Sequence, residues 1–218
     1  MSPTHKEVWI ANQNIKLPGD LAVPSNAVGL VIFAHGSGSS RRSPRNMQVA
    51  RVLNQVGLAT LLFDLLTPDE SDDRQNVFDI SLLANRLIMT TQWVLKQAQL
   101  KQLPIGYFGA STGAAAALQA AAKLGTQVTA VVSRGGRPDL TGPGLELVKC
   151  PTLLLVGEED DAVLDMNREV LPLLAKGELM TIPGATHLFE EPGTLEQVAN
   201  EAAQWFTRFL KQKRHKAA

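Results

Sequence analysis

Six short runs in this sequence are apolar almost from end to end: GLVIFA (29–34), LATLLF (58–63), IGYFG (105–109), TAVVS (129–133), TLLLVG (152–157) and LMTIPG (179–184). A strand with one face in water alternates apolar and polar residues. These do not alternate, so both of their faces are to be covered. Stretches of helical period lie between and after them, at 43–57, 77–98, 112–124, about 164–175 and 194–211. Buried strands separated by helices predict an α/β fold, a mostly parallel central sheet covered by helices on both faces.

The remaining segments fit that frame. EVWIA and IKLPGDLAVP read as an opening pair of strands joined near Asn12 and Asn14. In SPRNMQVARVLNQVG, Ser43 can cap a helix, Pro44 suits its first turn and Gly57 can end it. Its apolar face is expected to hold Met47, Val49, Ala50, Val52, Leu53 and Val56. The acid-rich LLTPDESDDRQN reads as a loop, followed by one long helix whose stripe starts at Phe78 and runs through Leu82, Leu83, Leu87 and Ile88 to Val94. The three tryptophans, Trp9, Trp93 and Trp205, are expected in the core. No linker or 20–50-residue repeat divides the chain, so residues 1–218 are expected to form one domain without a separate lid, and 210–218 reads as a frayed basic tail.

Composition narrows the function classes. The 21 basic and 21 acidic residues cancel, which argues against a nucleic-acid or membrane-surface partner. The single cysteine, Cys150, can form no internal disulfide and reads as a buried, inert thiol, as in a reducing cytoplasm. No apolar run has signal-peptide or membrane-span length. The expectation is a cytoplasmic protein whose partner is a small molecule. A homodimer is compatible with the sequence, which does not set the oligomeric state.

In such sheets functional groups collect past the carboxyl ends of the strands. Here those ends read His35-Gly36-Ser37-Gly38, Asp64, Gly109-Ala110-Ser111, Ser133-Arg134-Gly135, Gly157-Glu158-Glu159-Asp160-Asp161 and Gly184-Ala185-Thr186-His187. Ser111 stands in Gly-x-Ser-x-Gly between an apolar strand and an alanine-rich helix, the setting that presents a nucleophilic hydroxyl. A serine needs a base that titrates near neutrality, and His187 follows a strand in a loop long enough to reach over the sheet. The third member is a carboxylate that holds the imidazole tautomer. Asp160 is favoured and Asp161 comes next, with Asp64 and Asp139 as further candidates. The oxyanion donors are expected to be the amides of Thr112 and of Ser37 or Gly38, which leaves His35 a structural role in its turn. Arg134 and Arg41 could clamp an acidic group on the substrate; Arg42 and Arg45 stand nearby.

Other chemistries fail on spacing. The third glycine of a dinucleotide fingerprint after Gly36 and Gly38 would fall on Arg41. There is no P-loop and no His-x-x-x-His pair, so no cofactor or metal is called for.

HGSGSS, GASTG, GEEDDAVLDMNR and GATHLFEEPG, taken in order, resemble the α/β-hydrolase fold, and in particular its small, lidless dienelactone hydrolase-like group. The resemblance covers nearly the whole chain. It implies a serine hydrolase of small soluble esters or lactones. In that family the aspartate stands three residues after the strand-end glycine, as Asp160 does after Gly157, with an apolar contact following, as at Val163. Dienelactone hydrolase itself carries cysteine as nucleophile; with Ser111 in that place the expectation is general ester hydrolysis, not dienelactone opening. Two other readings use the same residues: acyl transfer to an acceptor other than water, and a non-catalytic small-molecule-binding member of the fold.

Overall fold

The computed structural model describes residues 3–12 and 15–211. An eight-stranded sheet, ordered β1-β2-β4-β3-β5-β6-β7-β8, divides the molecule. Strands β1 (Thr4–Asn12) and β2 (Ile15–Val23) pair antiparallel, and β2 pairs antiparallel with β4 (Leu58–Phe63). From β4 onward every pairing is parallel, through β3 (Gly29–Ala34), β5 (Ile105–Ala110), β6 (Val128–Arg134), β7 (Thr152–Gly157) and β8 (Gly177–Ile182). All residues of β3, β4, β5 and β7 are buried, as runs without polar alternation require.

Helices α1 (Pro44–Gln55) and α7 (Thr194–Leu210) cover one face; α4 (Ile80–Lys96) and α5 (Thr112–Leu124) cover the other. Phe33, Phe108, Leu53 and Phe206 form the first core, and Ile32, Tyr107, Leu87 and the alanines of α5 the second. Small side chains let α5 lie directly on the sheet. Helix α6 (Asp161–Val170) packs on the far edge through Val163 and Leu164.

Several expectations are corrected. The acid-rich loop holds two short helices, α2 (Pro68–Ser71) and α3 (Arg74–Phe78). Thr67 and Glu70 form a reciprocal capping box, and Glu70 also pairs with the buried Arg86 of α4. The long helix does not continue through Phe78. Asp79 caps α4 by accepting the Leu82 N–H at 2.9 Å, which breaks the pattern and leaves Phe78 exposed. On α1 the true inner face is Asn46, Val49, Ala50 and Leu53, whereas Met47 and Val56 point out. Helix α6 starts at Asp161, earlier than its apolar pattern suggests. Trp205 is buried and Trp93 half-buried, but Trp9 is 58% exposed on the outer strand. Residue 210 is no tail: Leu210 ends α7 and is fully buried. The tail residues 212–218 and the turn residue Asn14 lie outside the described residues. No helix among the described residues is long and apolar enough to cross a membrane.

Cys150 is buried, and desolvation pushes its thiol up to about 11. In native protein at about pH 8, Ellman's reagent is expected to leave Cys150 unmodified, and to titrate one thiol within seconds in urea.

Candidate active site

Strand β5 runs into α5 with a single residue, Ser111, making the reversal. Its backbone sits at φ 51° and ψ −121°. Such a conformation costs a non-glycine residue about 1–3 kcal/mol, so the surroundings must impose it. They do: the Ser111 N–H donates to Arg134 O at 3.2 Å, and its carbonyl accepts from Ala114 N at 3.0 Å and Arg137 N at 3.2 Å. The flanking glycines answer to crowding. A methyl group at 113 would overlap the carbonyl oxygens of Ala34 and His35, and one at 109 would lie 2.8 Å from Ala114 N. Helix α5 starts at Thr112, so its free amides and positive dipole end lie beside the Ser111 hydroxyl.

His187 sits in the loop after β8, with Nδ1 2.6 Å from Asp160 Oδ2. The carboxylate is an acceptor here and Nδ1–H the donor. Asp160 precedes α6 without capping it, so its oxygens are available to the imidazole. The carboxylate is mostly buried and the imidazole is 40% exposed. Two features stiffen the loop. Thr186 donates from its amide and hydroxyl to Glu191, at 3.2 and 2.5 Å, and the hydroxyl bond holds that carboxyl below its ordinary range. Phe189, buried to 2% exposure, adopts φ 55°.

The other acids are engaged elsewhere or face water. Asp161 is exposed at the start of α6. Asp139 is held by Arg137 at 2.9 Å (Nε) and 2.7 Å (Nη2). Asp64 belongs to Arg41.

That last pair corrects the expectation for Arg41 as a substrate clamp. Its guanidinium binds Asp64 at 2.6 Å, Glu7 at 3.1 Å and Asp20 at 3.2 Å, and its backbone N–H donates to Asp64 Oδ1 at 2.7 Å. Burial works against its charge, but the Asp64 hydrogen bond and the fields of all three carboxylates more than offset this and raise its pKa. Arg41 ties the segment after β3 to β1, β2 and the end of β4. The Ser37 N–H was expected as a free oxyanion donor. In the resting site it donates to Thr112 Oγ1 at 3.0 Å. His35 Nε2 accepts the Leu65 N–H at 3.1 Å, so its proton sits on Nδ1, 3.0 Å from Gly36 O. Both nitrogens are used, which makes His35 a brace of the turn.

Arg134 presents the opposite case. It is 9% exposed, its Cζ stacks 5.8 Å from the centroid of Phe189, and Nε and Nη1 have no partner. No carboxylate among the described residues pairs with it. Desolvation, assisted by the charge of Arg45, pulls its pKa down to about 10.

Ser111, His187, Ser37, Arg134, Arg45 and Asn46 line one cavity of about 170 Å³. A second cavity of about 370 Å³ shares Gly36, Ser37 and Ser39 with it and turns apolar at Leu65, Leu66, Val77 and Leu83. A larger one, about 630 Å³, lies between α1 and strands β1, β2 and β4 and touches neither Ser111 nor His187.

Replacing Arg41 by Met removes the counter-ion of the partly buried Asp64, which keeps only the backbone N–H of residue 41, and the exposed Glu7 and Asp20 contribute little. A loss of about 1–3 kcal/mol is expected in urea unfolding. For His35 the folded-state pKa is lowered, mainly by burial. The unfolded chain then binds more protons below about pH 6.5. The contribution of His35 is complete above that pH and is lost as pH falls toward the folded value. Urea unfolding followed from about pH 7.5 to 5 should show this slope, and His35→Asn should lack it.

The comparisons with known proteins agree with this architecture. The profile of the dienelactone hydrolase family matches residues 17–213. The crystal structure of dienelactone hydrolase from Anabaena variabilis superposes with a TM-score of 0.93 at 52% identity, covering 96% of this chain and all of that one. Est1E from Butyrivibrio proteoclasticus shares the fold at 18% identity and a TM-score of 0.79, covering 93% of this chain and 98% of its own. The same holds for an esterase of Pyrococcus furiosus, at 18% identity and a TM-score of 0.74, over 95% of this chain and 92% of its own. A Mycobacterium tuberculosis (strain H37Rv) protein with the provisional name phosphoribosyl transferase is 57% identical over 206 residues. That match covers 94% of this chain and 46% of the relative, so the chain spans about half the length of the curated relatives it matches.

Proposed function

This chain belongs to the dienelactone hydrolase family, and on that premise we propose that it is a serine hydrolase of small soluble carboxylic esters or lactones, with Ser111, His187 and Asp160 as its working residues. One observation carries the reading: an imidazole hydrogen-bonded at 2.6 Å to a mostly buried carboxylate, lining the same small cavity as a serine held at φ 51°.

In this proposal Ser111 Oγ attacks the ester carbonyl while His187 Nε2 takes its proton. Asp160 keeps Nδ1 protonated and balances the imidazolium that forms. The oxyanion receives the Thr112 amide at the start of α5. The Ser37 amide joins by exchanging Thr112 Oγ1 for the oxyanion, so this second donation carries the cost of breaking a resting bond. His187 then protonates the leaving alcohol, and water, deprotonated by the same ring, releases the acid. The two adjoining cavities suit a short substrate whose apolar part lies toward Leu65 and Leu83. The phosphoribosyl transferase name belongs to proteins of which this chain matches about half. Phosphoribosyl transfer occurs at a sugar carbon and has no acyl intermediate for such a serine to carry, so the name is not brought to this chain.

Nitrophenyl esters of short acids are expected to show a burst of one nitrophenol per Ser111, then steady turnover. Ser111→Ala and His187→Ala should each lower kcat by roughly a million-fold. Asp160→Asn should lower it on the order of ten-thousand-fold, and Asp161→Asn hardly at all. Binding of the esters without any release of nitrophenol would instead indicate a non-catalytic member of the fold, and ester exchange with added alcohols outpacing hydrolysis would indicate an acyltransferase.

A further inference from the structure

Residues 134–137, at the end of β6 and just past it, grip the strained turn from both sides. Arg134 O accepts the Ser111 N–H at 3.2 Å, and the Arg137 N–H donates to Ser111 O, also at 3.2 Å. The same segment borders the imidazole, since a methyl group on Gly135 would lie 3.5 Å from His187 Cε1 and 3.3 Å from its carbonyl oxygen. Residues 135–137 belong to no helix or strand, so their position depends on bonds from outside. The Gly135 N–H donates to Leu155 O of β7 at 2.8 Å. Gly136 has no room for a side chain of its own: a methyl group there would fall 1.9 Å from Ser133 Oγ and 2.7 Å from Ala114 Cβ. It is held through its backbone, by Asn167 Nδ2, which donates to Gly136 O at 3.0 Å.

Asn167 stands on α6, the helix that follows Asp160, and is fully buried. Its Nδ2 also donates to Val163 O, one turn back, at 2.7 Å. Turning the amide over would set its oxygen against both carbonyl oxygens, so the orientation is fixed. Oδ1 is buried without a partner, which makes the side chain a donor at some cost. The bond along the helix alone does not call for an amide. Thr90 and Thr91 of α4 make the same bond with a hydroxyl, to Arg86 O and Leu87 O, each at 2.9 Å. What the amide adds is a second N–H, and that one crosses to Gly136. The bridge thus joins the two halves of the site, since Asp160 leads into α6 and Ser111 is held by residues 134–137. We infer that Asn167 is a positioning residue: by tying Gly136 to the helix that follows Asp160, it fixes Ser111 relative to the His187–Asp160 pair. Its effect on rate rests on the esterase reading, and the linkage itself does not. Misplacing a reacting group by about 1 Å costs on the order of a hundredfold in rate, so a bond that stands outside the chemistry can still govern it.

The test compares the full-length protein with Asn167→Thr, whose hydroxyl keeps the bond to Val163 O and releases Gly136. Asn167→Ser serves in its place if that variant fails to fold. Amide exchange followed by NMR should show the N–H groups of Ser111 and Arg137 opening roughly tenfold faster relative to those of Tyr107 and Phe108 in β5, a ratio that cancels any change in overall stability. kcat/KM for a short nitrophenyl ester should fall roughly ten- to a hundredfold. A fluorophosphonate should still label Ser111 in every chain, but more slowly by a similar factor, which separates misplacement from unfolding. Thr91→Val removes a buried bond to Tyr107 OH on the other side of the sheet. It should lower stability and leave the exchange ratio, kcat/KM and labelling rate as they are. If Ser111 and Arg137 open no faster than β5, if kcat/KM and labelling are unchanged, or if Thr91→Val slows both as much, the assignment to Asn167 is wrong even where esters are cleaved. If the exchange responds as expected while the parent protein cleaves no ester and takes no label, the esterase reading fails and the linkage from Asn167 to Ser111 stands.

Discussion

The reversal at Ser111 is the constraint around which the molecule is arranged. A chain leaving a buried central strand and entering a helix within one residue must pass through a backbone conformation that L-residues avoid. The strain is held by bonds from two directions, the end of β6 and the first turns after it. It also demands that α5 approach the end of β3 so closely that position 113 has no room for a side chain. The alanine run after it serves the same approach. Packing of α5 against the sheet and presentation of the hydroxyl are therefore one structural requirement, seen from two sides.

Around that point the two arginines divide the electrostatics. Arg41 gathers Glu7, Asp20 and Asp64, and so joins the segment that carries Ser37 to three strands. Its charge is spent on architecture. Arg134 has the deeper position and no counter-ion among the described residues. The difference lies in where the carboxylates are: β1, β2 and the end of β4 bring three to Arg41, whereas Asp139 after β6 pairs with Arg137 and Asp160 after β7 pairs with His187, and neither pairs with Arg134. Arg41 so placed steadies the fold, whereas Nε and Nη1 of Arg134 are buried without a partner.

The sheet was legible because its strands are apolar on both faces, a pattern that few other arrangements can bury. Helix boundaries were less so. Asp79 breaks a stretch whose apolar period runs on past it, and the capping of α4 by that side chain is a local bond that periodicity does not register. Likewise α2 and α3 are too short and too polar to carry a period. Their placement owes much to Glu70, which meets Arg86 sixteen residues on. Trp9 was read as core from its residue type, but it lies on the face of an outer strand that no helix covers.

For the site, the sequence alone determined which residue types stand at the carboxyl ends of the strands, since runs of apolar residues mark those ends and the polar residues that follow are few. It also singled out Ser111, because its Gly-x-Ser-x-Gly stands between an apolar strand and a helix with no spacer. Only the tertiary structure decided between Asp160 and Asp161 at the imidazole, tied the Ser37 amide to Thr112, and separated Arg41 from Arg134. Those outcomes depend on distances between segments far apart in the chain. A linear pattern reports how each segment faces the core, and says nothing of which charged groups meet once the strands are set side by side.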